Sequence, residues 1–323
     1  MKKILTVLLS FVVLSFGALF FTACGNDNAK DTLDVYLPDG TPGLALAEAI
    51  TEGVDEVDME IKYHIVNASE IGGLVSNGSA DLAIMPTNAA ATIYKSGAKI
   101  QLMSSNVFGN LFIVGVGEAD SLADLAGKTV YVTVGTTSAM LEYLCSENEI
   151  ELTATPVDDG KEIIAKIVTA NAQGEECYGV LGEPQVTACK KQVSSAKTVV
   201  DFQAEWKTLT GGDSYPQASL VVNTDFAKNN AKVAEAFANS LATNAEWIAK
   251  TENIAALKTA LQEMGYTSDT SALISAPITT TTVENCNLGF VKSDAVKESV
   301  KEYVSVMNKG QQLDDKFFYT YSA

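Results

Sequence analysis

The chain has 323 residues, 47% of them hydrophobic, enough to bury one large core or two of ordinary size. It carries 40 Asp and Glu against 22 basic residues, and every basic residue is Lys; there is no Arg. A formal charge of −18 without a basic patch excludes nucleic acid as a partner and electrostatic docking on anionic lipid, so the acidity serves solubility.

The N-terminus reads as a targeting segment. Lys2 and Lys3 form a basic start, residues 4–21 are apolar, and Phe21-Thr22-Ala23-Cys24 places small residues before a cysteine. This end is similar to a bacterial lipoprotein lipobox, with Phe21 where an aliphatic residue is usual. Residues 1–23 are then a signal peptide, Cys24 is the lipidated first residue, and 24–31 is a polar tether. No other stretch is apolar for long enough to span a bilayer.

Leu33–Leu37 alternates like a strand and runs into the turn Pro38-Asp39-Gly40-Thr41-Pro42-Gly43. Residues 44–50 read as a helix, with Thr41 as its cap and Pro42 in its first turn. Met59–Ile65 is a second strand, holding the single histidine, His64, for which no Ser or Cys partner suggests catalysis. Ser69–Val75 is a short helix. Leu82–Met85 is an apolar run sized for a buried strand; Pro86 ends it, and Thr87 caps a helix that begins at Asn88 and closes near Gly97. Ile100–Phe108 is a strand containing Ser104-Ser105-Asn106, and Leu111–Val116 is strongly β.

The pattern then restarts. A helical turn at 121–128 leads to a strand at 129–134. The turn Gly135-Thr136-Thr137-Ser138 opens a helix over 139–146. Strands follow at 152–157, 178–181 and 198–202, with helices at 161–170 and after Gly182-Glu183-Pro184. Residues 217–223 are again β. Beyond Thr224, helical spacing dominates: Phe226 through Ile248, Ile254 through Met264, and Val296 through Met307 with Ser293 as cap. Cys145, Cys177, Cys189 and Cys286 lack metal-ligand spacing. Export permits disulfides, but three pairings stay open and buried thiols serve equally well.

Two βα blocks, 32–110 and 117–216, therefore stand beside two β stretches that can cross between lobes. The expected fold class is α/β with two lobes, each a mixed sheet flanked by helices. The domains are 32–110 with 222–323 as lobe 1, and 111–221 as lobe 2. A strand passing straight into a capped helix directs unpaired N–H groups at the sheet's C-terminal edge, where open α/β sheets bind ligands.

Three stretches now carry a family resemblance: Pro38–Ala47, Ala80–Ala90 and Ser121–Val130, the last with the pattern L-x-D-L-x-G-K-x-V. Their order and spacing resemble the substrate-binding lipoproteins of bacterial ABC importers, type II periplasmic-binding fold, in the nitrate/sulfonate/thiamine-precursor group. The resemblance implies capture of a small organic solute between two lobes. It also implies ABC permease and ATPase partners, a membrane tie through Cys24, a monomer, and no enzyme activity, cofactor or metal. It implies four ligand loops: Asp39, Gly40 and Thr41 with Pro42; Pro86, Thr87 and Asn88; Gly135, Thr136, Thr137 and Ser138; Gly182 and Glu183. Asn106 and Tyr215 join them as candidates. Each has a plainer reading, Thr87 and Ser138 as caps, Asp39 bonding its own turn, Glu183 as a solvated first-turn acid, and Trp206 and Tyr215 as core aromatics. Without Arg, a guanidinium fork for a compact anion is unavailable. Rival roles are an enzyme of the same fold, of menaquinone-pathway or pyrimidine-synthase type, and a lipoprotein presenting its ligand to a sensor kinase.

Cys24→Ala is expected to block lipidation and release the protein from the membrane fraction of cells; unchanged retention of that variant rules out the lipobox.

Overall fold

The computed structural model describes residues 30–212 and 214–322; the expected signal peptide, 1–23, and Cys24 lie outside the described residues. Among the described residues no helix is long and apolar enough to cross a membrane.

The chain begins with β1 (Thr32–Pro38), α1 (Thr41–Leu44), α2 (Ala47–Glu52), β2 (Glu60–Val66), α3 (Ile71–Ser76), β3 (Leu82–Pro86), α4 (Thr87–Lys95) and β4 (Ile100–Phe108). It continues through β5 (Leu111–Val116), β6 (Thr129–Thr133), α5 (Thr136–Glu147), β7 (Thr153–Val157), α6 (Gly160–Gln173), β8 (Cys177–Gly182), α7 (Gln185–Gln192), β9 (Lys197–Asp201) and α8 (Phe202–Thr210). The last part holds β10 (Pro216–Asn223), α9 (Thr224–Ser240), α10 (Asn244–Ile248), α11 (Thr251–Glu263), α12 (Ala272–Ser275), α13 (Thr280–Asn285), β11 (Leu288–Lys292) and α14 (Ser293–Met307).

Two mixed sheets result, ordered β11-β4-β10-β3-β1-β2 and β7-β6-β8-β5-β9. In the first, β2, β1 and β3 are parallel and β10 runs antiparallel between β3 and β4. In the second, β7, β6 and β8 are parallel and β5 runs antiparallel between β8 and β9. The two β stretches expected to cross between lobes therefore do so in a definite way: β5 enters the second sheet and β10 enters the first. Residues 216–221, expected in the second lobe, pair with β3 and β4 instead, in a ladder whose register with β4 shifts at three points. Central strands are apolar on both faces: β5 is buried throughout and β3 along its first four residues, as helix-covered strands require.

Several element ends differ from the sequence reading. The helix expected over 44–50 is split at Ala45–Leu46. Asn244, almost fully buried, explains the split: its Nδ2 donates to the Leu44 carbonyl and its Oδ1 accepts from the Glu48 N–H, satisfying both loose ends. The same residue starts α10, so the helical pattern from Phe226 to Ile248 breaks after Ser240. Thr41, Thr87 and Ser293 are first helical residues rather than caps. Each spends its hydroxyl on a distant partner, Ser293 on the Tyr319 carbonyl at 2.6 Å. Helix α8 and strand β11 were not anticipated. The α8 signals are nonetheless ordinary, an Asp201 cap accepting from Gln203 N–H and Gly211 at φ 73°. The four cysteines are free thiols.

The core is continuous from one sheet to the other on the hinge side, where α4 and α14 meet α5 and α8. Trp206, Tyr215 and Tyr303 pack there with ring centroids 5.4–5.9 Å apart, the two tyrosines stacked and the indole tilted or edge-on to each, with Tyr143 5.5 Å from Trp206. Gly115 of β5 faces the Cys177 carbonyl and the Tyr178 ring so closely that a Cβ would overlap both. Gly115→Ala is therefore expected to destabilise the protein by about 1–3 kcal/mol, as overpacking does. Urea unfolding measures it, and an unchanged midpoint contradicts the β5–β8 register.

Candidate functional site

A cleft of about 250 Å³ opens between the two sheets. One wall is the turn between β1 and α1, the end of β3 and the end of β4; the other is the start of α5 and the turn between β8 and α7. The floor is the Asn110–Leu111 crossover and the first residues of β10. This is the carboxyl edge of parallel strands in both sheets, where backbone N–H groups at helix starts are left for a ligand.

Of the expected site residues, Asp39, Gly40, Thr41, Pro42, Pro86, Thr136, Thr137, Gly182 and Glu183 line the cleft. The others do not. Thr87 is fully buried, and its hydroxyl pairs with Ser219 at 2.8 Å. Asn106 is buried in β4, where its Oδ1 accepts from Ser104. Ser138 turns its hydroxyl back onto the Gly135 backbone, accepting from its N–H and donating to its carbonyl, both at 3.1 Å, which holds the first turn of α5. Asn88 sits behind the wall, its Oδ1 accepting from Thr136 at 2.8 Å and so tying one lobe to the other. Tyr215 is a fully buried hinge aromatic, packed on Gly109, whose φ of 57° and contact with that ring leave no room for a side chain.

Thr41 is the node of the site. Its hydroxyl donates to the Glu183 carbonyl at 2.7 Å and accepts from Asn110 Nδ2 at 2.7 Å. Asn110 Oδ1 in turn accepts from Gln217 Nε2 at 2.6 Å, and Asn110 N–H donates to Gln217 Oε1 at 2.9 Å. Four residues from two lobes and two crossovers thus form one hydrogen-bonded chain, all of it uncharged at the atoms used. Cys286 lies beneath, its sulfur 3.8 Å from Thr41 Oγ1, and burial pushes its thiol up to about 12.

Both acidic residues belong to the cleft lining, and both oxygens of each carboxylate hold structure. Glu183 accepts from Thr187 N–H and hydroxyl, both at 3.0 Å, and from Asn285 Nδ2 at 3.2 Å on the facing lobe. It is 4% exposed, so the reading of a solvated first-turn acid does not hold. Asp39 accepts from Ser271 Oγ at 2.9 Å and from Ala272 N–H, securing the start of α12 rather than only its own turn. Thr187 also meets Thr282 at 3.0 Å across the lobes. No lysine lines the cleft. His64 stands elsewhere, its Nε2 2.8 Å from Asp34 Oδ1 and its ring stacked on Tyr36 at 4.3 Å.

The sequence reading did not single out Asn110, Gln217 or Gln185. Their signals were thin: a lone amide in the Phe-Gly-Asn crossover, and two glutamines at element starts.

The sequence matches the NMT1/THI5-like family over residues 55–255, more than half of the chain. Comparison with curated proteins gives no match. Among solved structures, an ABC transporter protein from Parabacteroides distasonis superposes with a TM-score of 0.72 at 18% identity, over 91% of this chain and 100% of that one. The periplasmic aliphatic sulphonate binding protein SsuA from Escherichia coli gives 0.60 at 14% identity, over 87% and 93%. The periplasmic nitrate-binding protein NrtA from Synechocystis PCC 6803 gives 0.55 at 13%, over 86% and 81%. At these identities the likeness fixes the fold, that of the two-lobed periplasmic-binding proteins of type II.

Thr41→Val keeps the shape but removes the donor to the Glu183 carbonyl and the acceptor for Asn110. A buried group left unpaired costs about 1–3 kcal/mol, so Thr41→Val is expected to be less stable than Thr41→Ser by roughly that amount. Equal urea midpoints for the two variants would break the hydrogen-bonded chain described above.

Proposed function

The chain belongs to the NMT1/THI5-like family, and from that premise we propose that it is an exported solute-binding lipoprotein. It captures a small organic solute between its lobes and delivers it to an ABC permease, with Cys24 as the lipid anchor on the outer face of the cytoplasmic membrane. Residues 32–110 and 216–323 form lobe 1 in this reading, and 111–215 form lobe 2. The observation that carries it is the 250 Å³ cleft at the facing carboxyl edges of two sheets, whose walls belong to different lobes. A site divided in this way is completed only when the lobes meet, which couples occupancy to closure. The proposed contact residues are Asp39, Gly40, Thr41, Pro86, Thr136, Thr137, Gly182 and Glu183, with Asn110, Gln185 and Gln217 added.

A solute that binds only the closed form stabilises it by mass action, about 2.7 kcal/mol at a hundredfold excess over Kd. Mass spectrometry of small molecules released from the denatured protein is expected to identify the solute. Adding it back is expected to lower the radius of gyration in solution scattering. A released solute that binds but leaves the scattering curve unchanged contradicts capture by closure.

A further inference from the structure

We propose that the cleft opens on one side only, along a seam between the start of α7 and the α12–α13 segment, and that Glu183 is the latch of that seam. This deepens the solute-binding reading and rests on it for what passes through. The seam borders the cleft directly: Pro184 and Gln185 line it from one leaf and Ala272 from the other. The leaves are rooted in separate cores. Val186 and Cys189 of α7 belong to the core of the second lobe, whereas Leu273 and Val283 of α12 and α13 belong to a core of the first. Among the described residues no buried apolar cluster spans the two leaves. The opposite side is built differently. There Met140 and Leu141 of α5 and Trp206 of α8 share one dry core with Val300 and Tyr303 of α14. Parting that side would expose large apolar side chains to water, whereas parting the seam exposes polar groups that water can satisfy.

Glu183 closes the seam with both carboxylate oxygens. Within its own leaf, Oε2 accepts from the Thr187 N–H and Oε1 from the Thr187 hydroxyl, both at 3.0 Å. Across the seam, Oε1 also accepts from Asn285 Nδ2 at 3.2 Å. The Thr187 proton is spent on Glu183, so the 3.0 Å contact between the Thr187 and Thr282 hydroxyls has one direction, with Thr282 donating. Thr282 is itself fully buried and accepts from the Thr279 N–H at 3.1 Å. The carboxylate thus sets the direction of the hydroxyl chain that joins the leaves. An amide at 183 would turn a donor toward either the Thr187 N–H or the Asn285 amide. The facing leaf is fixed to the first lobe at both ends of α12. Asp39 holds Ser271 and Ala272, and Lys258 Nζ donates to the Ile274 and Ala276 carbonyls at 3.2 and 2.8 Å.

Cys286 reports the opening. It is fully buried at the foot of the seam, 3.8 Å from Thr41 Oγ1, and burial pushes its thiol up to about 12. The thiolate is the reactive form, so N-ethylmaleimide marks Cys286 only when the seam parts. Labelling of the full mature protein, read cysteine by cysteine in mass spectrometry, tests the assignment. Cys189, fully buried in the core of the second lobe, measures global unfolding. Glu183→Gln is expected to raise the Cys286 rate about tenfold or more relative to Cys189, as loss of a charge-assisted bond does. Thr187→Val keeps the Glu183 charge beside the thiol and is expected to raise the rate several-fold, with Thr187→Ser close to native. Asn88→Ala removes the Thr136 contact on the opposite side and is expected to leave the rate unchanged. Native Cys286 rates in both Glu183→Gln and Thr187→Val, or equal acceleration by Asn88→Ala, overturn the one-sided seam and leave solute binding standing. If Glu183→Gln unfolds, with Cys189 labelled as fast as Cys286, the Thr187 pair decides alone.

Discussion

The pairing of Asn110 with Gln217 is the point on which the molecule turns. The chain passes from the first sheet to the second just after Phe108 and returns just before Pro216, and these two residues are neighbours across the β4–β10 ladder. Side-chain amides and a backbone N–H clamp the two passages to each other at 2.6 and 2.9 Å. Because Asn110 also reaches Thr41, and Thr41 reaches Glu183, the hinge and both cleft walls share one set of hydrogen bonds. Such chains are strong when complete and costly when one member is lost.

The two faces of the hinge differ in chemistry. Toward the cleft the contacts between lobes are polar and made by short side chains: Thr41 with Glu183, Thr187 with Thr282, Thr136 with Asn88. On the other side they are aromatic and dry, with Trp206, Tyr215 and Tyr303 fully or almost fully buried. Burial holds the Tyr215 and Tyr303 hydroxyls in their neutral form by raising both well above the ordinary tyrosine value. Polar contacts exchange readily with water or a solute, whereas large apolar contacts do not. The closure proposed above would therefore break and remake contacts on the cleft side.

Much of this was legible in the sequence, because hydrophobic periodicity and turn chemistry are local. β4 and β5 lie where their apolar runs put them, and residues 39–42, 136–137 and 182–183 of the turns read from Gly, Pro and hydroxyl residues border the cleft. What was not legible depends on partners far along the chain. Thr87 could not be separated from a cap without knowing that Ser219 stands beside it, nor Tyr215 from a ligand platform without Trp206 and Tyr303. The split of the first helix required Asn244, some 200 residues away. Glu183 showed the same limit, since a first-turn acid looks solvated until Thr187 and Asn285 close over it.

The adjacency of Phe108 and Pro216 has a topological meaning. Strands β4 and β10 are antiparallel neighbours, so they are the arms of a β-hairpin, and the entire second lobe is its loop. Hairpins of this kind are ordinarily joined by two residues. Closing one with about a hundred residues instead costs only about 0.6 kcal/mol for each doubling of loop length. A large folded unit could therefore be accommodated within a pre-existing turn at small entropic cost. The first sheet keeps its own order whatever that turn contains.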